Sequence, residues 1–294
     1  MTAIIEARGL SKNYGSMKAV SGVDLKVEAG RIVGLIGPNG AGKTSVIKAI
    51  LGLTSFDGDL KVLGLDPRTE RNQLMQQVCF IADVAVLPRW VKVSDAVDFV
   101  AGVHPRFDRK RCEGFLARTD IRLASKVRQL SKGMITQLHL ALILAIDAKL
   151  LVLDEPTLGL DLLFRRQFYD NLLNDYINKE RTILVTTHQV EEIENILTDV
   201  IFIEHGKIAL DAPMEMLAER FVQLTPTAGN VDRAHALKPF WEREIFGRKT
   251  MLFDGRNHAE LEELGETRAP SVADLFVAMM KPVGAAATAS KEAA

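Results

Sequence analysis

Cysteine is scarce in this 294-residue chain: Cys79 and Cys112 are its only two, far apart and in no metal-ligand spacing. That excludes a disulfide scaffold or a zinc site, and two reduced thiols are expected. Cys79, in the apolar run 78–81, is expected to be a small core residue. A charge of one sign is missing too. Lys and Arg number 37 against 38 Asp and Glu, a net charge of -1, so no global basic field draws in nucleic acid, and no nucleic-acid partner is expected. Long hydrophobic runs are also lacking. The longest, Leu138 to Ile146, contains His139 and stops at Asp147, about half of the roughly 18 to 20 residues a membrane helix needs. The start of the chain lacks the basic and apolar segments of a signal peptide. A cytosolic protein is expected; if it works at a membrane, another chain crosses it. What is present is 47% hydrophobic and 26% charged residues, enough for one large domain and a small appendage.

Along the chain, Ile4 to Leu10 and Val20 to Val27 alternate apolar and polar and predict strands. Arg31 to Gly37 predicts a buried strand running into a glycine-rich loop, with a helix over Gly42 to Leu51. Helices are predicted over 95–100 and 109–118, and over 131–145 with Ser131 as its N-cap. A strand over Leu150 to Asp154, a helix over 162–179, a strand over Thr182 to Thr186 and a helix over Val190 to Leu197 follow. Strands are then predicted over 200–204 and 207–210. This alternation favours a parallel α/β sheet. Beyond Phe221 the pattern loosens. Strands are expected over 221–224 and 250–253, and a capped helix over 271–280. Residues 221–282 are read as a small accessory region and 283–294 as a disordered tail.

Gly37, Pro38, Asn39, Gly40, Ala41, Gly42, Lys43 and Thr44 satisfy G-x-x-x-x-G-K-[ST] in full, with Ser45 next in line. Glycines let the backbone close around phosphates, Lys43 supplies a cation, Thr44 offers a hydroxyl to magnesium, and the following helix points its positive end at the same anion. The strand before and the helix after are the context this loop requires. Asp154 and Glu155, at the end of a buried strand, are its expected partners: Asp154 for Mg2+ and Glu155 to orient and deprotonate an attacking water. Alone, two acids at a strand end would more simply be a cap; beside a phosphate loop they are not.

With those motifs in place, the chain resembles the ATP-binding cassette (ABC) family from residue 4 to about 220. Leu130-Ser131-Lys132-Gly133-Met134 resembles the family's signature loop, Asp161 its D-loop, His188 its switch histidine, and Tyr14 the aromatic that stacks on adenine. The resemblance implies an α/β P-loop NTPase with a mainly parallel sheet core, an N-terminal antiparallel β subdomain and an inserted α-helical subdomain near 84–140, the cassette spanning 1–220. It implies an ATPase that sandwiches two Mg-ATP between two cassettes, Ser131 and Gly133 of one facing the nucleotide on the other. It further implies a second cassette, identical or sibling, an integral membrane permease, and a place on the inner face of the cell membrane.

Two positions depart from the family's commonest pattern. Lys132 and Met134 replace Gly and Gln in the signature, a variant that resembles exporters of the ABC-2 branch. Asp83 stands where the magnesium-contacting glutamine is usual; a carboxylate serves as a ligand but is shorter and charged, and the other reading is a plain turn start. Trp90, in the cluster Pro88-Arg89-Trp90, is expected inside the helical subdomain, the alternative being an exposed anchor for the permease. Two further functions remain on the table. A single-cassette ABC ATPase can act as a mechanotransmitter or regulator without moving a solute, and a nucleotide-binding scaffold without turnover is disfavoured by Glu155 and His188.

Overall fold

The computed structural model describes residues 2–81, 87–157, 165, 166, 168–170, 172 and 181–280. The expected positions of Asp83 and Asp161, and the tail 283–294, lie outside the described residues.

Three sheets organise the described residues. The first is antiparallel, in the order β2-β1-β4, from β1 (Ala3–Tyr14), β2 (Met17–Glu28) and β4 (Asp57–Val62). The second is the six-stranded main sheet. It is built from β3 (Ile32–Ile36), β5 (Val78–Ile81), β6 (Leu150–Asp154), β7 (Thr182–Thr187), β8 (Asp199–Glu204) and β9 (Lys207–Pro213), in the order β5-β6-β7-β3-β8-β9. Its first five strands run parallel and β9 closes it antiparallel to β8.

Strand β3 explains how the layers meet. All five of its residues are buried. Val33 and Leu35 face the core shared with β1, β2 and α1 (Lys43–Ile50), whereas Ile32 and Ile36 face the opposite core. The period of two puts alternate side chains on opposite faces, so a strand covered on both sides must be apolar throughout. Cys79, in β5, is 5% exposed, and burial pushes its thiol pKa up to about 12; it is an inert core residue, as its sequence context indicated.

After α2 (Arg71–Met75), the helices α3 (Val93–Val103), α4 (Arg109–Leu116) and α5 (Lys132–Leu144) enclose a core of their own, with Val93, Val97, Cys112, Leu116 and Leu138 at its centre. Asp108 caps α4 by accepting the Arg111 amide at 3.0 Å, and Ser131 caps α5 as predicted, accepting the Met134 amide at 3.2 Å. Trp90 is a correction: it is 74% exposed, not buried. Trp90 sits in a turn closed by Val91 N donating to Pro88 O at 3.1 Å, with Val91 O accepting from Val127 N and Arg89 O from Arg128 N, both at 2.9 Å. Surface turns carry their side chains outward, and Val91, where the turn ends, packs beside the helical core instead.

The helix predicted over Val190 to Leu197 is a second correction. The chain makes two 3-10 turns there, Val190–Glu192 and Glu194–Ile196. The apolar residues Val190, Ile193 and Ile196 recur every third position, the period of a 3-10 rather than an α-helix.

Past α6 (Met214–Arg220), the region whose pattern loosened is a four-stranded antiparallel sheet. Its strands β10 (Phe221–Pro226), β11 (Trp241–Ile245), β12 (Arg248–Asp254) and β13 (Gly265–Arg268) lie in the order β11-β12-β10-β13. The two strands that alternation did not reveal are its edges. Trp241–Ile245 reads WEREI and Gly265–Arg268 reads GETR, the charged composition that keeps an edge from pairing with another chain. Helices α7 (Val231–Ala236) and α8 (His258–Glu262) share an apolar core with this sheet. The last helix, α9 (Val272–Met280), turns back onto the main core instead, placing Val272, Leu275 and Ala278 there.

Candidate active site

The loop of residues 37–42 joins the C-terminal end of β3 to the start of α1. Its tightness depends on glycine. A Cβ on Gly37 would lie 2.4 Å from Ile203 O, and one on Gly42, at φ +111, would lie 2.5 Å from Ala19 O; no other residue fits either place. Gly42 is also the N-cap of α1, with no side chain capping the helix and no acid in its first turn. The first amides of an α-helix have no partner within it, and together with the helix dipole they form a site for an anion. Pro38, Asn39 and Gly40 line the exposed side of this loop, and Ala41 is buried beneath it.

Lys43 is only 6% exposed. Its ammonium donates to Gly37 O at 2.7 Å and Pro38 O at 3.3 Å, and lies 3.5 Å from Glu155 Oε1. A buried cation held by carbonyls and one carboxylate is within reach of the loop's anion position without being exposed to bulk water. Thr44 Oγ1 donates to Asp154 Oδ1 at 3.5 Å, so the hydroxyl and the carboxylate predicted to act together are adjacent.

Glu155 follows β6 with φ +48, a left-handed conformation uncommon for a residue with a side chain and typical of functional sites. Two bonds to Thr186 hold it there: its amide donates to Thr186 O at 3.2 Å and to Thr186 Oγ1 at 3.1 Å. Thr186 Oγ1 donates in turn to Asp154 Oδ1 at 2.6 Å. Sequence reasoning missed Thr186, although the two adjacent hydroxyls that close the strand TILVTT were its visible signal. His188 lies just beyond β7, its Nδ1 2.8 Å from Glu155 Oε2. The structure thus brings Lys43, Thr44, Asp154, Glu155 and His188 into one cluster at the C-terminal ends of adjacent parallel strands, where open α/β sheets place their ligands.

Tyr14 ends β1 with 43% of its surface exposed, and the Lys12 ammonium sits 4.9 Å from its ring centroid. Slight burial works to raise its phenol pKa. Hydrogen bonding with Ser45 and Thr54 and the charges of Lys48 and Lys12 outweigh this and leave the phenol below its ordinary value. Ser45 thereby links the aromatic ring to the phosphate loop. Ser131 and Gly133 belong to a different contact set, at the start of α5, with Ser131 exposed and Gly133 buried.

A second polar network runs beside the cluster and was not foreseen. Thr157 Oγ1 donates to Glu192 Oε2 at 3.5 Å and stands 3.4 Å from the buried Tyr169 hydroxyl. Arg165 pairs with Glu192 Oε1 at 2.5 Å and hydrogen-bonds Gln189. These side chains join the turn after Glu155 to the turn after His188.

Among the described residues, no helix is long and apolar enough to cross a membrane. Comparison with known proteins agrees with the geometry. The ABC transporter family profile matches residues 20–158. The chain is 34% identical over 280 residues to Nod factor export ATP-binding protein I of Cupriavidus metallidurans, covering 89% of each chain. It is 34% identical over 223 residues to the protein of the same name from Ralstonia nicotianae, covering 74% of this chain and 69% of that one. In fold it resembles a solved ATP-binding subunit of an ABC transporter, with a TM-score of 0.67, 24% identity and 74% of this chain covered against 92% of the other. The phosphate loop, the acids that face it and these relatives lead to one conclusion: the chain belongs to the ABC transporter family, as an ATP-binding subunit that couples ATP hydrolysis to transport.

Proposed function

We propose that two copies of this chain, or this chain and a sibling cassette, close around two Mg-ATP and drive an integral membrane permease for export, from the cytoplasmic face of the membrane. The observation that carries the hydrolytic part is Glu155, whose carboxylate lies between Lys43 and His188. In this reading Glu155 takes the proton of a water as its oxygen attacks the γ-phosphorus. The bond from that phosphorus to the bridging oxygen breaks, and ADP and phosphate result. His188 keeps the Glu155 carboxylate in one orientation, and Lys43 and the α1 amides hold the phosphate charge.

The donors near Thr44 suit magnesium. A hydroxyl and one carboxylate are hard oxygen ligands. Among the described residues no three His, Cys, Asp or Glu side chains gather into a cage, and Mg2+ usually retains waters and substrate phosphates instead of filling its shell with protein. Thr44 and Asp154 would hold it, and it would neutralise phosphate charge. Asp83, as a third ligand, belongs to the same proposal.

Ser131, exposed at the start of α5, and Gly133 beside it are assigned to the nucleotide bound by the opposite cassette, and Tyr14 to the adenine. Export is supported by the relatives in Cupriavidus and Ralstonia, which are Nod factor export ATP-binding proteins. Trp90 and Phe99, 74% and 70% exposed on the helical region, offer the permease an aromatic contact of the kind that dominates interfaces. The test is Glu155→Gln, which preserves shape and removes the base. It is expected to bind ATP, accumulate as an ATP-bound pair and lose about 100-fold or more in phosphate release. Wild-type turnover in that variant would remove Glu155 from the role of base.

A further inference from the structure

His188 leaves β7 onto the short 3-10 segment 190–196, and that segment is held from two sides. On one side it meets the strand that feeds the phosphate loop. Leu197 packs directly on Gly34 of β3, where a Cβ would come within 2.7 Å of Leu197 Cδ1. Thr198 Oγ1 accepts from Ile32 N at 2.8 Å. On the other side comes α9, from the far end of the described chain. Val272 and Leu275 join Val190 and Ile193 in one buried cluster, and Phe276 meets Phe202 edge-on, with ring centroids 5.5 Å apart.

One polar bond links the two directly: Glu194 Oε1 accepts from Val272 N at 2.8 Å, across 78 residues of sequence. Glu194 thereby caps the first turn of α9, a task Ser271 shares by accepting from Asp274 N at 3.0 Å. The same segment reaches the catalytic edge through Glu192, which binds Arg165 and Thr157. His188 is thus the leading end of a segment whose far side is fixed by the C-terminal helix.

We propose that Glu194 is a positioning residue through which α9 sets His188 against Glu155, so that the C-terminal region governs the turnover of bound ATP. The inference rests on the reading of Glu155 and His188 as the hydrolytic pair. Displacement of a catalytic group by about 1 Å costs on the order of 100-fold in rate. The loss of one cap loosens the segment by less, and about three- to tenfold in kcat is the expected scale.

The test uses the full chain, at a concentration where it pairs, with kcat, KM for Mg-ATP and the pH profile of kcat measured for each variant. Glu194→Ala is expected to lower kcat about three- to tenfold and alter the pH profile, with KM and melting temperature near wild type. Glu194→Gln, whose amide oxygen still accepts the Val272 N–H, should restore most of the rate. Phe276→Ala, which loosens α9 without touching Glu194, should lower kcat in the same direction. His188→Ala combined with Glu194→Ala should be no slower than His188→Ala alone, since both act through one side chain. Wild-type kcat in Glu194→Ala, no rescue by Gln, or full additivity in the double variant would each overturn the proposal. The reading beneath it fails separately: His188→Ala turning over at the wild-type rate would remove the hydrolytic pair, whereas a slow His188→Ala beside a normal Glu194→Ala removes only the positioning role.

Discussion

The nucleotide edge of the main sheet and the interior of the C-terminal sheet follow opposite rules. At the edge, local preferences are broken: Glu155 adopts φ +48, Lys43 is buried among carbonyls, and α1 begins without a capping side chain. In the C-terminal region the exceptions, Lys238 at φ +57 and Phe246 at φ +48, lie in the connections between elements, and the interior obeys them. Val222, Leu224, Met251, Phe253 and Leu261 are at most 1% exposed in a wholly apolar core, and Asn257 caps α8 by accepting the Ala259 amide at 3.0 Å. A region that breaks local rules needs a compensating reason, which here is a phosphate-binding chemistry. An interior that keeps them shows stability and no chemistry, so its role must be sought in what it touches. What it touches, through α9, is the segment behind His188.

The largest expected effect tests the C-terminal side. Phe253→Ala empties a side chain 1% exposed and should cost about 3–5 kcal/mol of that region's stability. The chain should melt earlier while nucleotide affinity below the transition stays at the wild-type value. A parallel loss of affinity would erase the distinction between the two regions. Next comes Lys43→Ala. Hydrogen bonds to charged groups contribute about 1.5–3 kcal/mol, so nucleotide binding by titration should weaken roughly 10- to 100-fold with little change in melting temperature. Equal affinity would contradict the phosphate-loop assignment.

The smallest effect is one of pH. His139, on α5, has its pKa lowered by burial from 6.5 to about 4. Between those values the unfolded chain binds a proton that the folded chain does not, so stability falls as pH drops through that window. His139→Gln should flatten this loss between pH 6.5 and 4 in melting curves, with no change above pH 7. An unaltered pH slope would show that His139 does not carry the proton.

Much of the nucleotide edge was legible because its chemistry dictates residue type and spacing. The loop at 37–44, the acids at 154 and 155, the serine cap at 131 and the histidine after β7 each stand where a physical task demands them. The buried parallel strands were legible for a related reason: covered on both faces, they have to be apolar. Thr186 escaped notice because a threonine in a strand is ordinary, and only the structure shows its hydroxyl joining Asp154 to Glu155. Segment 190–196 misled because spacings of three and of three-to-four are hard to separate over so few residues. Trp90 misled because composition favours burying a tryptophan, whereas the chain turns there and Val91 takes the inward place. The edge strands β11 and β13 were hidden by their charge. Glu194 and Val272 were beyond reach for a simpler reason: nothing local relates residues so far apart.

The central claim is that Lys43 and Ser131 act on the same nucleotide from different chains, and a mixing experiment tests it most directly. Lys43→Ala and Ser131→Ala, each nearly inactive alone, are combined in equal amounts and assayed for ATP hydrolysis. If the site is shared, mixed pairs contain one intact site built from both chains, and activity should recover toward about a quarter of wild type for random pairing of a twofold dimer. Activity that remains at the level of the separate variants would place both residues in a site within one chain and contradict the account.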